Sequence, residues 1–315
     1  KKYVDPAMRG RQSLNPLEKL GLVALKHNKI NITSLGEYLL REDYDLGEMF
    51  FRSFIKWQIP NLSSSDYKAS EGYNIKPFIG TLHLIAKVNH GWEKLGKSPV
   101  GISKEEFSLF APTLINCRDI GKQAQRIFDL RLACEGKSTQ DQKQIKEEFK
   151  NKFAKEFLKS KSKEEIKKLL SNLKDYGDNA IRYFRLTRYL YVRGGGFFID
   201  LEPRRQIEIN NLLKHDNAES LDFPNEEAYL DYLADINQPE LPWEKEPELT
   251  RIIETTLQDI QQFREELRNK GIKITPFTSK DYSEFNKDRL KEYIEELRIH
   301  RRGLNDIKIR YESQE

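Results

Sequence analysis

The sequence predicts a mainly α-helical protein with small β-hairpins (α+β), and three observations lead there. In two places a helical apolar pattern runs straight into a short alternating stretch folded about a polar or glycine tip. A Lys/Glu-rich stretch from 137 to 174 repeats Phe149, Phe153 and Phe157 at every fourth position, the spacing of one helix face, read as a packing stripe. Beyond Asp216, acidic and proline-punctuated segments lead into long amphipathic runs.

The first passage from helix to hairpin is PLEKLGLV (16–23), where Leu17, Leu20, Leu22 and Val23 close a helix and open a strand at Gly21. Lys26, His27, Asn28 and Lys29 make a polar tip, and Ile30 and Ile32 alternate on the returning strand. Thr33 or Ser34 then caps a helix carrying Leu35, Tyr38 and Leu39 at helical spacing. After a polar loop (63–72), the stretch 102–116 begins with Ser103 and, three residues on, Glu106, the pattern of a capping box. The second passage joins a helix ending near Leu190 to a hairpin in which Tyr189, Tyr191, Phe197 and Ile199 flank Gly194-Gly195-Gly196. A helix after Pro203 closes it, with Asp200 expected as its cap.

Helix, hairpin, helix is the order of a winged helix, a helix-turn-helix variant, and it occurs twice. The expected organisation is a first winged-helix subdomain at 1–62 and a second at 63–215 with a helical insertion at about 137–174. An acidic connector and helical linker follows at 216–315, with helices over 249–267 and 283–304. Trp57 is expected as a packing anchor between the modules.

Composition excludes several classes. Charged residues make up 33% of the chain, mean hydropathy is −0.74, and no apolar run approaches a membrane span or a secretory core, so a cytoplasmic protein with no membrane partner is expected. Cys117 and Cys134 are too few for a disulfide framework and lack zinc-site spacing; both read as buried thiols. The first residue is Lys1, so the natural N-terminus is expected upstream. The net charge of +4 conceals an asymmetry: residues 1–215 hold 39 Lys/Arg against 26 Asp/Glu, residues 216–266 hold 3 against 15, and residues 267–315 hold 12 against 9. A basic body with an acidic arm suits a polyanion partner.

The segment most informative about that partner is NAIRYFRLTRYL (179–190). On a helical wheel Ala180, Tyr183, Phe184, Thr187, Leu190 and Tyr191 form an apolar arc, while Asn179, Arg182, Arg185 and Arg188 line the opposite side. Arginine can make paired bonds to guanine O6 and N7, and asparagine to adenine N6 and N7, in the major groove of double-stranded DNA. The hairpin that follows adds Arg193, and the Gly194 and Gly195 amides can approach a phosphate with no side chain in between. Arg9, Arg11 and Gln12 occupy the corresponding place before the first hairpin and are expected to supply a second set of contacts; Lys56 and Gln58 are further candidates.

Catalytic patterns fail. Glu148-Phe-Lys150 and Glu165-Ile-Lys167 have the short spacing of a metal-dependent nuclease but lie in helical Lys/Glu-rich sequence. Gly136-Lys137-Ser138 ends like a phosphate-binding loop, yet Arg131 stands where its first glycine belongs. The five histidines are scattered. No catalytic and no metal-binding residue is assigned.

Taken in order, PLEKLGLV, NKINITSLGEYLL, FIKWQIP, YNIKPF, ISKEEFSLFAPTLIN, NAIRYFRLTRYL with its hairpin, and ELPWEKEPEL before a long helix resemble the AlwI family of type IIS restriction endonucleases, and the related large subunits of nicking enzymes. That resemblance implies an N-terminal recognition region of winged-helix subdomains, a helical linker and a C-terminal Mg-dependent cleavage domain. The chain stops where the linker would end, so the cleavage domain is expected to lie outside it. A second nuclease subunit, or transient dimerisation for double-strand cleavage, is the implied protein partner. The rival reading is a winged-helix transcriptional regulator, which would dimerise on palindromic sites.

Overall fold

A computed structural model of the chain describes residues 5–26, 29–41, 44–63, 69–158 and 162–312. His27 and Asn28 of the expected hairpin tip lie outside them. The described chain is mainly helical with small antiparallel sheets, and none of its helices is long and apolar enough to cross a membrane. It divides into two compact units, Lys1–Pro203 with Asp216–Gln238, and Arg204–His215 with Pro239–Glu315.

The first unit opens with α1 (Pro6–Lys19), whose N-cap Asp5 accepts the Met8 amide at 2.9 Å. Gly21, at φ 76°, turns the chain into β1 (Val23–Lys26), which pairs antiparallel with β2 (Lys29–Ile32), Val23 opposite Ile32 and Leu25 opposite Ile30. Thr33 ends the hairpin and caps α2 (Ser34–Leu39). Its hydroxyl accepts the Gly36 amide at 3.0 Å and donates to the Gly21 carbonyl at 2.6 Å, so one side chain closes both the helix and the hairpin base. Next comes α3 (Leu46–Phe54), capped by Asp45.

Pro77 occupies the first turn of α4 (Pro77–Lys94), where its missing amide costs nothing. After β3 (Ile102–Ser103), the capping box of Ser103 and Glu106 forms, but α5 (Lys104–Phe110) stops short of the expected Asn116 because Pro112 cannot continue it. The chain continues through α6 (Ile120–Cys134), α7 (Thr139–Leu158) and α8 (Lys163–Leu186). The phenylalanine stripe of α7 is a packing face: Phe149 and Phe153 meet Phe110 at 6.0 and 5.3 Å between ring centroids. β4 (Leu190–Arg193) and β5 (Phe198–Leu201) form the second hairpin, and β3 lies on the other edge of β5.

Between the two segments of this unit, α9 (Gln206–His215) belongs to the second unit. The acidic sequence after it is no free connector at first, for residues 216–238, with α10 (Glu226–Ala234), strap the first unit. Asp216 pairs with the Lys76 ammonium, Ala218 accepts the Lys76 amide at 2.8 Å, and Asn74 accepts the Ser220 amide at 2.9 Å. The Gln58 side chain donates to and accepts from the Leu221 backbone at 2.7 and 2.8 Å. Ser34 bonds Ala234 and Ile236, both at 3.1 Å. Gly21 is required beneath the strap, since a Cβ there would lie 2.3 Å from the Leu233 carbonyl oxygen.

In the second unit α11 (Glu246–Asn269) and α12 (Lys287–Glu312) pack through Leu249, Ile253, Ile260 and Leu267 against Leu290, Ile294, Leu297 and Leu304. The helices are parallel: Asp259 pairs with Arg301 at 3.1 Å and Glu266 with Lys308 at 2.9 Å, so both chains advance together. The segment between them runs back alongside, Thr275 accepting from Arg264 at 2.8 Å, Phe277 stacked on His300, and the Lys280 amide donating to the Tyr293 hydroxyl at 2.8 Å. Buried Glu208 of α9 accepts Arg205 and Arg298, each at 3.0 Å.

Lys56 corrects its expected role. Its side chain is fully buried, the ammonium donating to the Leu233 and Asp235 carbonyls at 2.6 and 2.7 Å, and it holds the strap instead of facing a ligand. Gln58, also buried, does the same. Burial lowers the Lys56 pKa from 10.5 to about 7 against the pull of Asp235, with Arg52 adding to the lowering. Between those values the unfolded chain holds a proton that the folded chain has released, so this group's penalty is full below pH 7 and fades as pH rises toward 10.5. Urea unfolding of the wild type and Lys56→Met across pH 6–10 should show wild-type stability gaining on the variant with rising pH. A pH-independent difference would show that the buried ammonium stays charged.

Candidate nucleic-acid interface

α8 is fixed along one face and at both ends. Ser162 caps its start, accepting the Glu165 amide at 3.4 Å. Ile166, Leu173, Gly177 and Ile181 recur on the buried face. Gly177 is needed there, because a Cβ would fall 2.7 Å from the Ser108 Cα where α8 crosses α5. Towards the C-terminus, Phe184 sets its ring edge-on to Phe54 at 5.4 Å and to Phe78 at 5.2 Å. Just beyond the helix, Tyr189 lies flat on Phe51 at 4.3 Å and meets Phe78 at 6.4 Å.

With that face buried, Asn179, Arg182 and Arg185 are exposed at three-residue spacing. Tyr176, 60% exposed, extends the stripe by one turn; its place three residues before Asn179 was a signal available in the sequence. Tyr183, expected in the apolar arc, is instead 52% exposed at its edge, tilted against Phe50 at 6.4 Å, and Ile181 takes the buried position. Arg188 stands off the helix. Thr187 is the C-cap, its hydroxyl donating to the Phe184 carbonyl at 2.6 Å and accepting the Tyr189 amide at 3.2 Å, and Arg188 follows at φ 62°, in the left-handed region. Its guanidinium pairs at 3.0 Å with Asp45, whose other oxygen caps α3 through the Gly47 and Glu48 amides. Gly47 passes directly beneath: a Cβ would stand 3.0 Å from Arg188 Nε.

In the hairpin, Gly194, Gly195 and Gly196 take φ of 59°, 65° and 98°, conformations that favour glycine, and all three are exposed. Arg193 turns back to the hairpin base, donating to Asp200 Oδ2 at 3.1 Å and to the Pro99 carbonyl at 3.3 Å. Asp200, 5% exposed, does not cap the helix after Pro203 as expected; its Oδ1 accepts Asn89 Nδ2 at 2.7 Å and the Leu201 amide at 2.9 Å. Asn89 in turn accepts the Gly101 amide at 2.8 Å, linking α4, β3 and the hairpin. Burial, followed by the Asp200 charge, holds the neighbouring Tyr191 phenol above its ordinary pKa.

On α1, Arg9 and Gln12 are exposed and Arg9 Nη1 donates to Gln12 Oε1 at 3.3 Å; Arg11 is on the same helix, its side chain outside the described residues. The structure therefore groups Asn179, Arg182 and Arg185 on α8 with Arg188 at its end and Arg193, Gly194 and Gly195 on the hairpin it enters. It leaves Arg9 and Gln12 on a separate helix and removes Lys56 from any surface. Asp45 and Asn89, which position this constellation, had no signal in local spacing. Among the described residues no three His, Cys, Asp or Glu are placed to hold a metal ion.

Arg193→Ala leaves the buried Asp200 carboxylate without its cation and should lower stability to urea by about 1–3 kcal/mol. Adding Asp200→Asn should recover part of that loss. Additive losses in the double variant would mean that the pair is not coupled.

Among curated proteins none matches the chain. Among solved structures, the BpuJ1 endonuclease binding domain, described in a crystal structure with pyrene- and phenanthrene-modified DNA, is similar over 75% of this chain and 80% of that one, with 13% identity and a TM-score of 0.46. The model of the AlwI restriction endonuclease family matches residues 18–312, almost the full length described. The chain belongs to the AlwI restriction endonuclease family.

Proposed function

We propose that this chain is the DNA-recognition part of a type IIS restriction endonuclease or a nicking relative, reading a short asymmetric site in double-stranded DNA while cleavage falls outside it. The observation that carries the reading is the exposed Asn179, Arg182 and Arg185 stripe on a helix locked along its other face. Such a helix meets the main demand of base reading in the major groove, side chains able to bond a base edge at two points and held in register. Family membership supplies the enzymatic context.

In this reading the two helix–hairpin units are winged-helix subdomains, 1–62 and 63–215, with 216–315 as connector and linker. Gly194 and Gly195 bring backbone amides to a phosphate, Arg188 and Arg193 set the position of the helix and hairpin, and Arg9, Arg11 and Gln12 of α1 form a second contact set. The chain acts in the cytoplasm, and a second nuclease subunit or transient dimerisation provides double-strand cleavage. Cleavage in the family's manner calls for Mg²⁺ held by carboxylates. Among the described residues no three His, Cys, Asp or Glu are grouped as such a site requires, and none of them is given a part in hydrolysis.

Selection of duplexes from a randomised library by the purified chain tests the reading. One asymmetric sequence should be enriched, with affinity falling steeply as salt rises. Arg182→Ala and Arg185→Ala should each relax preference at one base pair, at about 1–3 kcal/mol. Uniform weakening on every sequence would overturn base reading by α8, a palindromic site would favour a dimeric regulator, and salt-independent binding would remove DNA as the ligand.

A further inference from the structure

We propose that Phe197, at the tip of the second hairpin, is an apolar wedge that enters a groove of the bound duplex and unstacks one base step. The inference rests on the DNA-recognition reading and adds a deformation of the DNA to it.

Phe197 is 71% exposed, whereas its neighbour Phe198 is half-buried, its ring 3.3 Å from where a Gly194 Cβ would be. A phenyl ring left in water forgoes the stabilisation that burial would provide, and Phe197 is the most exposed of the large hydrophobic side chains among the described residues. The backbone that carries the ring is nonetheless clamped. The Phe197 carbonyl accepts the Lys104 amide at 2.8 Å, one of the first-turn donors of α5 that has no partner within its own helix, and the Phe197 amide donates to the Gly194 carbonyl at 3.3 Å. Three glycines precede it, so the residues of the tip itself put no other side chain between a duplex and the ring. The hairpin is entered directly from α8. The wedge places the tip at the minor groove beside the segment read by α8, where apolar side chains inserted between base pairs kink DNA.

The test uses the duplex enriched by selection, with 2-aminopurine placed in turn at each position. Wild-type protein should raise emission at one step beside the segment read by α8. Phe197→Ala should melt at the wild-type temperature, bind about tenfold more weakly and lose the rise in emission, while Phe197→Trp should keep tight binding and unstacking. The wedge is overturned if no position brightens with wild type, if Phe197→Ala retains the brightening, or if that variant changes only self-association in sedimentation. Enrichment of an asymmetric duplex without any unstacking sinks the wedge alone; failure to enrich any duplex sinks the recognition reading and the wedge together.

Discussion

The packing of Phe184 and Tyr189 against Phe51, Phe54 and Phe78 is the constraint from which the rest of the first unit follows. These rings come from α3, α4, the end of α8 and the start of the second hairpin, so a single aromatic cluster sets the direction of the arginine-bearing helix and the place where its hairpin begins. Rings in edge-on and stacked contact resist rotation better than aliphatic side chains of the same area, because their preferred geometries are few. The Arg188–Asp45 pair joins the α8 terminus to the α3 cap. Being exposed, it adds little energy by itself; its value is geometric.

The strap at 216–238 shows how an acidic segment can sit on a basic body without neutralising it. It carries seven acidic residues and no Lys or Arg, yet most of its bonds to the first unit run through backbone groups of Ala218, Ser220, Leu221, Leu233, Ala234, Asp235 and Ile236. Lys56 is central to it. A buried ammonium facing two carbonyls satisfies groups that would otherwise be stranded, at the cost of its own hydration.

Features with local causes were legible in the sequence. The Thr33 cap, the Ser103–Glu106 capping box, both hairpins and the phenylalanine stripe depend on residues within a few positions of each other, and each formed. Lys56 and Asp200 take roles other than the expected ones, and the ion pairs of Arg188 and Arg193 had no counterpart in the sequence pattern. The partners that decide the roles of Lys56, Arg188 and Asp200 lie far along the chain, at Leu233, Asp45 and Asn89, and Arg193 meets Asp200 across the hairpin, seven residues away. A charge pattern cannot tell an exposed arginine from one turned back to a buried carboxylate. The α8 wheel identified its polar stripe but misassigned Tyr183, because a tyrosine at the edge of an arc suits either side.

The parallel course of α11 and α12 has a consequence for reach. Two antiparallel helices return the chain to the end where it entered. Here the returning segment takes that role, and α12 carries the chain forward again over 26 residues, about 39 Å at ~1.5 Å per residue. The entry to α11 and the exit from α12 are therefore separated by roughly one helix length. The ion pairs Asp259–Arg301 and Glu266–Lys308 hold the register, so that separation is set by the pairing of the two helices and not by the course of the segment between them.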